Sequence, residues 1–308
     1  MIGRIYGTGS YLPQHVIDND ALSKVVETSD AWIKERTGIE KRCLVKEPMT
    51  TADMAYKAAN LALQMANHSS EEVDCILVST SSPNVIFPSV ACEVQQMLGA
   101  WNATCFDLNA ACAGFLYAYN TAQTYIQAGI YQTVLVIGAE TMSQLIDWKD
   151  RNTCILFGDG AGAVLLKAEA KGTFSTWTRS DGSKKDALTC VPGGKLQMNG
   201  QEVFRFAVKR IPECILTLLH QDGLSPAEID YLILHQANKR ILESVAKHLH
   251  MDLEKIPMNL QHYGNTSSAS IPILLDELQR GGHLQRGMKL ILAGFGAGLS
   301  WGASLIEW

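Results

Sequence analysis

Glu72-Val-Asp-Cys-Ile-Leu-Val78 is matched in kind by Glu228-Ile-Asp-Tyr-Leu-Ile-Leu234, 156 residues further on. Each reads as an acidic turn running into a short apolar strand. The offset recurs. Thr133-Val-Leu-Val-Ile-Gly138 pairs with Lys289-Leu-Ile-Leu-Ala-Gly294 at 156 residues, and a helical stretch ending at Gly129 pairs with one ending at Gly281 at 152. Gly158-Asp-Gly-Ala-Gly-Ala-Val-Leu-Leu166 has a weaker echo in Gly296-Ala-Gly-Leu-Ser-Trp-Gly-Ala-Ser-Leu305. Several matches in one order at nearly one offset indicate a duplicated plan. Apolar strand-length runs alternate with helical patterns, so the fold class is α/β.

The join is expected between Ala168 and Gly200, where Lys171-Gly172, Asp181-Gly-Ser-Lys-Lys-Asp186 and Pro192-Gly-Gly194 carry turn chemistry. The expected division is a half over residues 1–167 and a half over residues 168–308. Phe115, Ala118, Ala122, Tyr125 and Ile126 recur at helical spacing, as do Ile271, Leu274, Leu275 and Leu278. Two such helices, one per half, are expected to lie together at the centre.

Bulk properties narrow the function. The chain has 308 residues, 47% of them apolar, enough for a large core and about two domains. A net charge of −5 without a long basic run speaks against nucleic acid as a partner. The eight cysteines form no C-x-x-C pair, so zinc-ribbon and redox motifs have no support. Met1-Ile-Gly-Arg4 leads into no apolar signal segment, and a reduced cytoplasmic protein is expected. From Leu108 to Ala139 there is no charge, but Asn109, Asn120, Gln123, Gln127 and Gln132 make a membrane span costly. A buried helix followed by a buried strand is expected there instead.

Three residues stand out chemically. Cys112, in Asp107-Leu-Asn-Ala-Ala-Cys-Ala-Gly-Phe115, falls where a short strand gives way to a long helix. Unpaired N–H groups and the positive dipole end favour a thiolate there. The other seven cysteines read as small buried hydrophobes. His235 ends the strand Tyr231-Leu-Ile-Leu234 and opens His-Gln-Ala-Asn-Lys-Arg-Ile241, a common setting for reactive groups in α/β proteins. Asn265, in His262-Tyr-Gly-Asn-Thr-Ser-Ser-Ala-Ser270, reads alone as a turn or cap residue. The repeat places its helix opposite that of Cys112, so the two residues are expected to face each other. Phe295-Gly-Ala-Gly298 is a tight turn able to present backbone N–H to an anion. Gly158–Gly162 lacks the Lys-Ser/Thr of a P-loop, Gly7-Thr-Gly9 lacks the third glycine of a dinucleotide fingerprint, and no metal spacing is present.

Cys112 in Ala-Cys-Ala-Gly-Phe, His235 in His-Gln-Ala-Asn and Asn265 in Gly-Asn-Thr-Ser resemble the Cys-His-Asn set of β-ketoacyl-acyl-carrier-protein synthase III. The resemblance spans the chain. Trp32-Ile-Lys-Glu-Arg-Thr-Gly-Ile39, Phe157-Gly-Asp-Gly-Ala-Gly162, Glu202-Val-Phe-Arg-Phe-Ala207 and Gly294-Phe-Gly-Ala-Gly298 are similar to family segments. It implies a thiolase-like fold, with mixed sheets around two central helices. It implies a decarboxylative Claisen condensation of acyl-CoA with malonyl-acyl carrier protein, initiating fatty-acid synthesis, in a homodimer without metal or redox cofactor. Cys112 would carry the acyl group. His235 and Asn265 would hold the malonyl thioester oxygen, and the N–H groups of Cys112 and Ala297 the oxyanion of acyl transfer. Trp32 and Arg151 would sandwich the adenine of CoA, with Arg36 and Thr37 near the nucleotide. Gly200, Phe204 and Asn238 would line the pantetheine tunnel. Phe87 would close the partner's acyl pocket, and Arg205, Arg240 and Lys247 would dock the carrier protein. His248 departs from the family, which frequently has lysine there.

Rival readings are a same-fold acyltransferase acting on a hydroxyl or amine, and a non-catalytic acyl-CoA binder. Papain-like proteases share the residue order, but the chain lacks their local Cys motif.

Overall fold

The computed structural model describes residues 1–46 and 48–308. Its principal strands are β1 (Ile2–Tyr11), β2 (Cys75–Ser79), β3 (Thr104–Leu108), β4 (Thr133–Glu140), β5 (Gly160–Glu169), β6 (Phe174–Ser180), β7 (Tyr231–Leu234), β8 (Lys289–Gly296) and β9 (Ser300–Glu307). They form two sheets, in the orders β1-β5-β4-β2-β3 and β6-β9-β8-β7. In each, an antiparallel pair leads to a third strand, and the next joins in parallel. Both sheets are therefore mixed, and the second repeats the first strand for strand as far as β7. Among the described residues β3 has no counterpart. The offset of 156 carries it to residues 260–264, where the chain makes a short helix, Leu260–Tyr263, and β7 is left as an edge strand.

The principal helices are α1 (Asp30–Thr37), α2 (Thr51–Ala66), α3 (Gly114–Gln127), α4 (Gly200–Gln221), α5 (Lys239–Leu249) and α6 (Ser270–Arg280). Strand alternation fixes the layers. Cys75, Leu77, Val134 and Val136 point inward and share one core with Phe115, Leu116, Tyr119 and Ile126 of α3 and Ile271, Leu274 and Leu275 of α6. Leu290, Leu292 and Ile233 reach that core from the second sheet. The alternate residues Ile76, Val78, Leu135 and Ile137 pack outward on the alanine-rich face of α2. Ile291 and Ala293 pack outward on α4 and α5. The order is helix, sheet, central helix pair, sheet, helix. The uncharged stretch from Leu108 is thus α3 followed by β4, both buried, and among the described residues no helix is long and apolar enough to cross a membrane. As expected, α6 ends at Gly281, and the left-handed glycine after it, Gly282 (φ 72°), matches Gly129 (φ 73°) after α3.

Candidate active site

The repeat builds the site from two matching turns. Asn109 Oδ1 accepts from Ala111 N (3.0 Å), and Asn265 Oδ1 accepts from Ser267 N (2.8 Å). Ala111 and Ser267 both sit in the left-handed region, at φ 48° and 51°. This is uncommon for residues with a Cβ. Cys112 follows Ala111 in a short 3₁₀ turn (Ala111–Ala113) that runs into α3. Its positional counterpart is Ser268, one residue after Ser267. Asn265 is the counterpart of Asn109, so the two halves supply different members of a shared turn. The end of β8 passes directly over Cys112. A Cβ on Gly296 would lie 2.6 Å from Cys112 N, so only glycine allows this approach.

Cys112, His235 and Asn265 line one cavity of about 780 Å³. All three are buried. Two details fix which atoms face the cavity. Asn265 Oδ1 accepts from Ser267 N, which leaves the Nδ2 amide as the free donor. Its backbone is clamped between Leu156 O (2.8 Å) and Gly158 N (3.0 Å) in a bridge to Phe157. His235 has Nδ1 at 2.7 Å from Ser270 Oγ, and that hydroxyl also accepts from Gln236 N at 3.3 Å. Among the described residues the Ser270 hydroxyl meets no other acceptor, so its hydrogen is assigned to Nδ1 and the ring proton to Nε2. Burial drives His235 down to about 3 from 6.5, so the ring is neutral at physiological pH and serves as a donor through Nε2. The site thus offers two N–H donors in the cavity of Cys112.

The thiol departs from expectation. A helix start was expected to favour thiolate. Burial instead pushes Cys112 up to about 12, with the Ser267 hydroxyl working in the opposite direction and the charge of Glu140 adding to the rise. Desolvation outweighs the helix end, because the sulfur lies inside the protein rather than at its surface.

Of the residues expected to hold CoA, Trp32, Arg36, Thr37, Gly200, Phe204 and Asn238 line the cavity and its mouth. Arg151 stands just outside, with its guanidinium 4.9 Å from the Trp32 ring centre. A base between two planes needs roughly 7 Å, twice a van der Waals separation, so Arg151 must move aside to form a sandwich. Thr37 spends its hydroxyl inside the protein, donating to Ile33 O (2.7 Å) and accepting from Ile39 N (3.0 Å). Asn238 caps α5 through Arg240 N (2.9 Å) and donates to Arg36 O (3.0 Å). Thr37 closes the end of α1 and Asn238 ties α5 to α1, so these two shape the mouth rather than offer free polar atoms. Arg205, Arg240 and Lys247 are exposed, and the first two also line the cavity. Arg240 lies over the Phe204 ring at 5.4 Å. Phe87 is 83% exposed, beside Ile86 at 90%, and takes no part in the cavity of its own chain. Ala297 follows the end of β8, next to Gly296 and its contact with Cys112. Ser267, Ser270 and Glu140 were missed, since hydroxyls in a turn and an acid at a strand end look ordinary in sequence.

Comparison with known proteins places this geometry. Residues 106–182 match the family model of 3-oxoacyl-[acyl-carrier-protein] synthase III, and residues 219–308 match its C-terminal model. A β-ketoacyl-[acyl-carrier-protein] synthase III of Clostridium acetobutylicum is 46% identical, over 99% of this chain and 98% of its own. The chain belongs to the β-ketoacyl-acyl-carrier-protein synthase III family. The crystal structure of 3-oxoacyl-[acyl-carrier-protein] synthase III from Aquifex aeolicus superposes with a TM-score of 0.97 at 44% identity, covering 99% of this chain and 100% of the other. The priming β-ketosynthase of the R1128 polyketide pathway superposes with a TM-score of 0.95 at 33% identity, covering 99% and 96%. The α/β fold expected from the duplicated sequence, and the thiolase-like architecture that the resemblance implied, are those of the family, and the protein is a condensing enzyme, a transferase.

Proposed function

We propose that the chain joins an acyl-CoA starter to malonyl-acyl carrier protein with loss of CO₂, and so begins a fatty-acid chain. The carrying observation is the convergence of a thiol at a helix start with two fixed N–H donors, His235 Nε2 and Asn265 Nδ2, in one cavity. The sulfur of Cys112 attacks the thioester, CoA leaves, and an acyl-enzyme remains. Malonyl thioester then loses CO₂, and negative charge grows on its carbonyl oxygen. His235 and Asn265 donate to that oxygen from buried positions, where such bonds are strong. The carbanion attacks the acyl-enzyme, and Cys112 is released. The N–H groups of Cys112 and Ala297 serve the oxyanion of each acyl transfer. The steps are redox-neutral and balance with two thioesters, so no cofactor enters. Eight free cysteines suit a reducing cytoplasm. The reading is tested by intact mass: acyl-CoA should add one acyl group on Cys112, and malonyl-acyl carrier protein should then remove it with release of CO₂. An enzyme that consumes acyl-CoA without that adduct would sink it.

Trp32, Arg36, Arg151 and Phe204 serve CoA in this reading, the cations at the nucleotide end and Phe204 along the pantetheine arm. Arg205, Arg240 and Lys247 serve the acidic carrier protein. Arg240 and Lys247 lie two turns apart on one face of α5, and Arg205, on α4, lines the same cavity as Arg240. Lys247 is the clean probe, because it lies away from the cavity that Arg205 and Arg240 line. Lys247→Glu should raise the apparent KM for the carrier substrate several-fold at low salt and leave acylation by acyl-CoA near wild type. Rim charges act mainly on association and are screened by salt, so the difference should fade as ionic strength rises. Unchanged carrier kinetics at low salt would move docking elsewhere.

Phe87 closes the acyl pocket of a partner subunit in this reading. Val85, Ile86 and Phe87 form a run of exposed apolar side chains, which a partner would cover. Sedimentation at micromolar concentration should give twice 33.7 kDa. A stable monomer that still condenses would remove Phe87 from the pocket.

A further inference from the structure

His235 follows directly on β7, an edge strand. In the first half the matching strand β2 is paired by β3, from Cys75 against Thr104 to Ser79 against Leu108. One residue further on, Thr80 N donates to Leu108 O (3.3 Å). The offset of 156 carries Thr80 to Gln236, and there the bonding changes. Gln236 N donates to Ser270 Oγ (3.3 Å). Its side chain is buried. Nε2 donates to Leu234 O (2.8 Å) and to Pro257 O (3.4 Å), and Oε1 accepts from Asn259 N (3.1 Å). A primary amide carries a donor and an acceptor, as a peptide unit does. Pro257 and Asn259 lie just ahead of the helix Leu260–Tyr263, which stands where the repeat would place a strand like β3. Gln236 thus bonds to that segment through its side chain, as a paired strand would through its backbone. Asn265 comes from the same segment, past the helix and Gly264. Its backbone is anchored to the first half by Leu156 O and Gly158 N, whereas His235 takes its strand-end bond from β8, N to Ala293 O (2.9 Å).

We infer that Gln236 is a positioning residue for decarboxylation: its side-chain amide stands in for the strand that β7 lacks and sets the spacing between His235 Nε2 and Asn265 Nδ2. The inference rests on these two groups holding the malonyl thioester oxygen. Two donors grip one oxygen only when both reach it at hydrogen-bonding distance. A displacement of about 1 Å in one of them is enough to cost on the order of a hundredfold. The end of β7 is tied on two sides. Gln236 ties it to the segment ahead of Asn265, and Ser270, on the helix after Asn265, meets His235 Nδ1 and Gln236 N. Cys112 is outside this linkage, on the turn before α3 and beside Gly296 of β8. Loosening the end of β7 therefore shifts the donor pair and leaves the nucleophile in place. A glutamine with only an architectural role would act otherwise. Its loss would lower the folded fraction, and with it both half-reactions by the same factor.

Gln236→Met keeps the length of the side chain and removes its bonds to Leu234, Pro257 and Asn259. CO₂ release from malonyl-acyl carrier protein should fall in kcat by about tenfold or more, with KM within about twofold of wild type. Acylation of Cys112 by acyl-CoA, read by intact mass, should stay within about threefold. A double-mutant cycle separates positioning from architecture. In a His235→Ala background the same substitution should cost less than about twofold in CO₂ release, because the group it positions is gone. An equal factor in both backgrounds, or equal losses in the two half-reactions, overturns the inference. Gln236→Glu is the second variant. It keeps an acceptor for Asn259 N, loses the donor to Leu234 O and Pro257 O, and should show the same selective loss. If neither variant folds, hydrogen exchange on the wild-type enzyme gives the answer. The Asn259 amide should be protected as strongly as the amides of β8, and exchange at the rate of an open loop overturns the tie. A His235→Ala enzyme that releases CO₂ at the wild-type rate would instead overturn the parent reading.

Discussion

Cys112→Ser should abolish the acyl-enzyme, lowering acylation by on the order of 10⁴-fold or more. Oxygen and sulfur differ here in acidity before they differ in size. The thiol is already pushed up to about 12 by burial, and a buried hydroxyl lies well above that. A base that can draw a proton from sulfur gains little from an alkanol. The substitution removes little packing at a site 7% exposed, and its stability cost should stay under about 1 kcal/mol. His235 and Asn265 are held by Ser270 and Ser267 rather than by the sulfur. The variant should therefore still release CO₂ from malonyl-acyl carrier protein while forming no condensed product. Intact mass reads the first effect and CO₂ release the second. A serine variant that acylates at near-native rate would remove Cys112 from its role.

The repeat was legible because strands buried on both faces keep their apolar pattern while helices and turns diverge. Glu72–Val78 and Glu228–Leu234 led directly to β2 and β7, and the offset between them places Ser79 opposite His235 and Cys112 opposite Ser268. That arithmetic also shows how the halves specialised. The first keeps a thiol where the second has a hydroxyl, and the second keeps an imidazole where the first has Ser79. The missing counterpart of β3 was not legible, since Leu260–Tyr263 carries no breaker that forbids a strand.

What the sequence hid was tertiary. The Ser-rich run 267–270 reads as a turn. Its roles appear only once β4 brings Glu140 beneath it and β7 brings His235 beside it. The thiol shows the same limit. Local position at a helix start argued for thiolate, but the two sheets close over that start and desolvation reverses the sign. Thr37 and Asn238 fall at the cavity as expected, yet the Thr37 hydroxyl is consumed in closing α1 and the Asn238 amide in tying α5 to α1.

His235→Ala and Asn265→Ala should each slow decarboxylation roughly a hundredfold or more while leaving Cys112 acylation within a few-fold of wild type. The separation follows from where the protons are. His235 carries its proton on Nε2, and Asn265 has only its amide hydrogens free, so both groups can donate and neither is placed to accept from the thiol. Donors matter most where charge accumulates, which is the enolate oxygen left when CO₂ departs. The two should not add as independent terms, because they grip one oxygen, and the double variant should lose less than the product of the single losses. Because burial keeps His235 neutral far below pH 6.5, lowering the pH from 8 to 6 should not inactivate decarboxylation through this ring, whereas a solvent-exposed histidine would titrate across that window. Timing acylation by mass and decarboxylation by CO₂ release separates the halves, and equal losses in both would mean that these residues do not belong to the second half alone.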